Sequence, residues 1–143
     1  MNYSRRDLGL LLPAFAAASA GAQPNQLETL TSKVYHDDQI PYKGNEQKKA
    51  REFFHGTTHS GFNLEMHETV LGPGVEAHPP HKHEHEEIVQ IMQGTVEANL
   101  AGERQSATAG SVVFFGSNQM HNLRNSGTTP CRYYVLELRG KEA

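Results

Sequence analysis

A single cysteine, Cys131, leaves this 143-residue chain without any internal disulfide. It stands in an alternating apolar run and reads as a small buried core residue. No apolar stretch approaches the roughly 20 residues that a retained membrane helix needs. Positive charge is scarce as well. Thirteen Lys and Arg face sixteen Asp and Glu, and the one basic cluster is "KKAR" at 48–51. That balance argues against nucleic acid and anionic membrane surfaces as partners. Internal repeats and low-complexity tracts are absent too. Hydrophobic residues make up 36% of the chain, gathered in short Val-, Ile-, Leu- and Phe-rich runs. They suffice for one core in a chain of this length.

The first 22 residues read as a targeting segment outside the fold. Arg5 and Arg6 precede a short Ala/Leu run, and "AGA" before Gln23 offers small residues to a signal peptidase. "SRRDLGL" resembles the twin-arginine export signal, and the weak hydrophobicity, with Gly9 and Pro13 inside it, favours that over a general secretion signal. No cysteine follows to carry a lipid anchor. Removal of residues 1–22 would take the formal charge from −3 to −4. The expected product is periplasmic or secreted, delivered by the export machinery and without a membrane anchor.

Residues 23–52 are polar and irregular, and "NEQKKAREFF" (45–54) is compatible with a short helix. This segment reads as an N-terminal arm, and residues 53–143 as one β domain. In "FNLEMHETV" the apolar Phe62, Leu64, Met66 and Val70 alternate with Asn63, Glu65, His67 and Thr69, which predicts a half-buried strand with His67 on its polar face. Further strand-like runs follow: "EIVQIM", "TVEANL", "SVVFF", "MHNLRN" and "RYYVLEL". Turn signals at 72–74, Gly94, 101–103, 109–110, 116–118 and 125–130 separate them. Many short strands without a helical period predict an antiparallel sandwich or barrel.

The chemistry concentrates in "HPPHKHEHEEIVQIMQG", residues 78–94. Side chains two apart on extended chain share a face, roughly 6.5–7 Å apart, so His81 and His83 can reach one ion. A turn before Glu87 would return its carboxylate to them, and His121, just after another turn, can add a fourth donor. The alternative is a histidine-rich loop that binds metal only adventitiously.

His81-x-His83, three residues, Glu87, six residues, Gly94 resembles the first cupin motif. Gly110, Gly116, Asn118, His121 and Asn125 resemble the second, 15 residues later. Gly74 stands one residue too far from His81, and Gly116 and Asn118 replace the expected proline and glycine, although both tolerate a tight turn. The resemblance spans about residues 60–138. It implies an all-β, antiparallel double-stranded β-helix, the jelly-roll cupin barrel, with His81, His83, Glu87 and His121 around one divalent transition metal.

Three imidazoles and a carboxylate suit Mn, Fe, Co, Ni, Cu or Zn. Export in the folded state would favour Mn or Fe loaded before export. His85 is expected to face solvent or to serve as an outer-shell group, as is His78. His36, His55, His59 and His67 read as structural or surface residues. If Glu87 faces inward, Val89 and Ile91 do too, with Leu123 beside His121, which predicts a mostly apolar pocket. Tyr133, Tyr134, Glu137, Glu68 and Gln119 are further polar candidates for the pocket, although they read first as core or surface strand positions. The function this implies is a metal-dependent, dioxygenase-type oxidoreductase acting on a small organic molecule. A metal-dependent isomerase or lyase, and a non-catalytic periplasmic cupin that binds metal or a small ligand, are the alternatives. Small cupins commonly pair through their sheets, so a homodimer is expected.

Overall fold

The computed structural model describes residues 27–141, so the targeting segment read at 1–22 lies outside the described residues. Nine strands follow a single 3-10 turn at Asp37–Gln39: β1 (Lys43–Gly44), β2 (Lys48–Thr57), β3 (Phe62–Leu71), β4 (Glu86–Gln93), β5 (Thr95–Leu100), β6 (Glu103–Thr108), β7 (Val112–Phe115), β8 (His121–Asn125) and β9 (Cys131–Lys141). They form a six-stranded sheet, β1-β2-β3-β9-β4-β7, and a three-stranded sheet, β6-β5-β8. Every strand pair is antiparallel. The two sheets close on one core as a jelly-roll barrel.

The core is built by alternation. Leu71, Val89, Ile91, Val96, Ala98, Leu123 and Cys131 are all nearly inaccessible, and each fully buried Val, Leu or Ile contributes about 1.5–3 kcal/mol. The large sheet organises its inward face in rows set by register. Thr69, Tyr133 and Ile91 stand opposite one another on β3, β9 and β4. His67, Val135 and Val89 form the next row, and Glu65, Glu137 and Glu87 the third. Two residues along each strand therefore carry the inner face from apolar to acidic.

At Gly94 the chain crosses from β4 in the large sheet to β5 in the small one. Its φ of +83° is open to glycine, and a Cβ there would meet the Cys131 Cβ at 2.8 Å. Asn125, fully buried, ties the opposite end: its Nδ2 donates to the carbonyls of Leu71 and Thr129, both at 2.9 Å, and its Oδ1 accepts from Gly127 N–H.

Three readings of the sequence change here. The helix-compatible piece at 45–54 is extended, and most of it lies in β2, which crosses the boundary drawn between residues 52 and 53. Pairing along all of β3 overrides its local propensity. The faces of β3 are also reversed. Its polar parity, with His67 and Thr69, faces the barrel interior, while Leu64 and Met66 face outward and are half-buried. Finally, β6 has no counterpart among the strands read from the sequence, because it is an exposed edge strand with almost no apolar residue.

On the outer face Glu68, fully buried, accepts from Arg51 Nε (2.5 Å), Tyr42 Oη (2.7 Å) and Arg132 Nη1 (2.9 Å). Burial alone would push its carboxyl up. The hydrogen bonds from Tyr42, Arg132 and Arg51 outweigh that and hold it below the ordinary range. Arg51 also donates to the Asp37 carbonyl, so the network clasps residues 37–42 against the sheet.

Candidate metal centre

The segment between β3 and β4 is aligned by β8. Asn125 N–H donates to Val75 O (2.9 Å) and Ala77 N–H to Leu123 O (2.8 Å). His81 and His121 exchange both backbone hydrogen bonds, at 3.0 and 2.8 Å. This places the His81 imidazole against that of His121. His83 is set by Asn118 N–H, which donates to the His83 carbonyl at 2.7 Å, and Asn118 takes a φ of +58° to do so. Asparagine thus meets the turn's demand where glycine was expected.

The structure brings all four sequence-predicted ligands together. The rings of His81, His83 and His121 lie 4.7–5.1 Å apart, centroid to centroid. One nitrogen from each comes within 4.8 Å of the others. Glu87, on β4, holds Oε1 at 2.9 Å from His83 Nε2 and Oε2 at 3.9 Å from His121 Nε2.

The hydrogen bonds dictate where the lone pairs point. His83 Nδ1 donates to the His85 carbonyl and His121 Nδ1 to the Gln119 carbonyl, both at 2.8 Å. Each ring thereby turns Nε2 toward the centre, the usual way outer groups orient metal ligands. His83 Nε2 then meets a carboxylate oxygen with a lone pair of its own, a pairing that calls for a cation or a second ring proton. His121 Nε2 and His81 Nδ1 are buried with no hydrogen-bond partner among the described residues, and His121 is only 1% exposed. Leaving such nitrogens unmet costs about 1–3 kcal/mol each. A divalent metal satisfies both at once, so the residues fit one. Burial, followed by the neighbouring His121 and His83, pushes His81 below its ordinary value, which favours the neutral, ligating imidazole.

This centre opens into a cavity of about 420 Å³. Residues 67–137 match the family model described as "Cupin domain". Over that stretch the chain is similar to a cupin domain. Among solved structures, KdgF from Halomonas sp. is 18% identical, with 78% of this chain and 97% of that chain aligned at a TM-score of 0.67. A predicted oxalate decarboxylase from Thermotoga maritima is 20% identical, with 76% of this chain and 100% of that chain aligned at a TM-score of 0.62. The polyketide cyclase RemF from Streptomyces resistomycificus is 16% identical (80% and 83% covered, TM-score 0.60). At these identities the likeness carries the fold alone. No curated protein matches the sequence significantly.

The walls of the cavity are not the residues expected. Val89, Ile91 and Leu123 belong to the core beneath it, while Tyr133, one of the polar candidates, lines it. Lys48, His67, His78, His85, Glu137 and Arg139 make most of the rest polar. His85 turns inward and stacks on His83, with ring centroids 3.5 Å apart and an interplanar angle of 3°. Its Nε2 lies 3.3 Å from Glu137 Oε2 and 3.7 Å from Glu87 Oε1. His78 sits edge-on to His81 at 4.0 Å. Burial lowers the pKa of both His78 and His85, opposed in His85 by Glu137.

Among the other polar candidates, Glu68 and Tyr134 lie on the outer face and Gln119 is an exposed turn residue. Burial pushes the Tyr133 phenol well above its ordinary value and keeps it protonated. Glu137 was readable from parity, since it alternates with Tyr133 and Val135 on one face of β9. Lys48 and Arg139 left no signal, because their place at the cavity depends on how the barrel closes.

Proposed function

We propose that this protein is an exported, metal-dependent cupin that oxidises a small organic molecule with oxygen, in the manner of a dioxygenase. The observation that carries the reading is the convergence of His81, His83, His121 and Glu87, with two buried ring nitrogens lacking a hydrogen-bond partner among the described residues, beside a cavity large enough for a single-ring molecule. A metal held there supplies Lewis-acid polarisation and redox chemistry toward oxygen. The chain's own residues orient the donors through the carbonyls of His85 and Gln119. The apolar layer below keeps water from the floor of the site.

Manganese or iron is the metal favoured, because a chain exported through a twin-arginine pathway folds, and loads, before it leaves. The targeting segment supports a periplasmic or secreted location. A homodimer is supported by the outer face of the large sheet, where Phe114, Ile88, Leu136, Met66 and Phe54 stand in one cross-strand row. Phe114, at 58% exposure, ends that row on the edge strand β7.

The test is oxygen uptake by the mature protein, loaded with iron or manganese, against a panel of catechols and 1,3-diketones. Uptake that requires metal and disappears in a His81→Ala, His121→Ala variant is the expected result. Isomerised or cleaved product without oxygen uptake would make the protein an isomerase or lyase. Ligand-induced stabilisation without turnover would make it a binding protein.

A further inference from the structure

The acidic row on the inward face is not what stability alone would select. Glu65, Glu137 and Glu87 stand directly opposite one another on β3, β9 and β4. Opposed side chains in a sheet hold their Cβ atoms about 4.5–5.5 Å apart, and like charges so placed repel. Glu137 and Glu87 are each 8% exposed, so water screens them little. The groups that answer this repulsion are unevenly shared. Arg139 Nη2 bridges Glu65 Oε2 (3.3 Å) and Glu137 Oε2. His85 Nε2 bridges Glu137 Oε2 and Glu87 Oε1.

Compared oxygen by oxygen, the three carboxylates differ. Glu65 commits Oε1 to His67 Nδ1 at 3.2 Å and Oε2 to Arg139. Glu87 turns both oxygens toward the imidazoles of the metal centre. Glu137 takes both its contacts on Oε2, and its Oε1 has no hydrogen bond or ion pair among the described residues, although the residue lines the cavity. A carboxylate anchored through one oxygen and open at the other is positioned to take a proton from a bound molecule. Around it the wall supplies His67 from β3, Glu87 from β4, His85 from the preceding loop, Arg139 from β9 and Lys48 from β2, while Glu65 lies outside the cavity behind Arg139. Tyr133 and Val135, directly below Glu137 on β9, and Ala77 across the cavity give an apolar surface for a flat ring.

We propose that Glu137 is the proton acceptor of the cavity, and that the molecule it serves is a weakly acidic oxygen chelator of the catechol or enol class. The substrate O–H bond breaks, its electron pair stays on the substrate oxygen, and the proton forms the Oε1–H bond of Glu137. The substrate is then held as its anion, and no oxidant enters this step. Arg139 and His85 are positioning residues that fix Oε2. The inference rests on the metal-centred reading of the site given above.

The test uses 4-nitrocatechol, whose visible absorption reports its ionisation, with the mature protein loaded with Zn²⁺, which has no redox chemistry. Wild type is expected to bind the probe as an anion at pH values where the free probe is still neutral. Glu137→Gln should bind it about tenfold more weakly, with the ionisation midpoint of the bound probe raised by about one pH unit. Glu65→Gln, which removes a carboxylate with no open oxygen, should match wild type. An unchanged midpoint in Glu137→Gln, with binding still dependent on Zn²⁺, overturns the assignment of Glu137 and leaves the metal-centred reading in place. Absence of probe binding to Zn²⁺-loaded wild type overturns both. Should Glu137→Gln fail to fold, Glu137→Asp keeps the charge and withdraws the carboxylate by one methylene. It is expected to raise the midpoint in the same direction, and an unchanged midpoint there counts equally against the proposal.

Discussion

Stripping metal from the protein should lower its melting temperature by about 10 °C, and His121→Ala should abolish that difference. A ligand present at 100 times its Kd stabilises a fold by about 2.7 kcal/mol. For a folded domain slightly above 100 residues, each kcal/mol moves the melting temperature by about 4 °C. The variant's own cost comes from two opposed terms. The His121 ring is stacked on Phe115, centroids 4.4 Å apart and tilted by 20°, and is 1% exposed. Emptying that space costs about 3 kcal/mol by analogy with other large-to-small core substitutions. Loss of the bond to the Gln119 carbonyl adds about 1 kcal/mol. Against this, the unmet Nε2 disappears, which returns about 1–3 kcal/mol. The metal-free variant should therefore melt roughly 8 °C below metal-free wild type, and added Mn²⁺ or Zn²⁺ should leave it where it is. Calorimetry on chelator-treated and reloaded samples reads both quantities. A variant that regains the full metal shift would show that other histidines hold the ion, and the assignment of the centre would be wrong.

Two further outcomes follow from the outer face of the large sheet. Glu68 has a carboxyl held below its ordinary value of 4.5, so its contribution is complete above that value and is lost as pH falls through the lower folded one. Glu68→Ala should flatten this acid dependence and cost about 3–5 kcal/mol at neutral pH in denaturant titrations, because Arg51, 8% exposed, would keep its charge without its main partner. Phe114→Arg should convert a dimer to a monomer by light scattering while leaving metal content unchanged, and a wild type already monomeric would refute the pairing surface.

How much of this was legible beforehand depended on where each residue's environment is decided. The strands β4, β5 and β9 announced themselves because one parity of each is largely apolar and packs inward, as Val89 and Ile91 do, while β7 is a short apolar run and β8 follows a turn signal. The spacing of His81, His83, Glu87 and His121 was readable because alternation and two turns are local properties. The reversal of β3 was not. Both faces of that strand are covered, the inner by the cavity wall and the outer by half-buried contacts, so apolar content no longer marks the inside. Nor was β2, whose lysines, Ala50, Arg51 and Glu52 favour helix locally and become strand only through pairing with β3. The inward position of His85 was not legible either: the chain bends at Glu84 and His85, near the turn the sequence suggests, and that bend stacks the His85 ring on His83 instead of leaving it in solvent.

The rows of the inner face explain why stability and chemistry can share three strands. The first row, Thr69, Tyr133 and Ile91, and the second, His67, Val135 and Val89, supply packing that fixes the register of β3, β9 and β4. A slip of one residue in any of them would expose Val89 or Val135 and bury its polar neighbours, so the core enforces the alignment. The third row inherits that alignment without contributing to it. Glu87 stands at the metal centre and Glu137 opposite it because Val89 and Val135 beneath them are paired. Substitutions in the lower rows are thus expected to act on stability first and on the site through lost register. Substitutions of Glu87 and Glu137 in the acidic row should relieve like-charge repulsion and can raise the stability of the metal-free protein while removing function. That opposition of sign separates a row kept for chemistry from one kept for the fold.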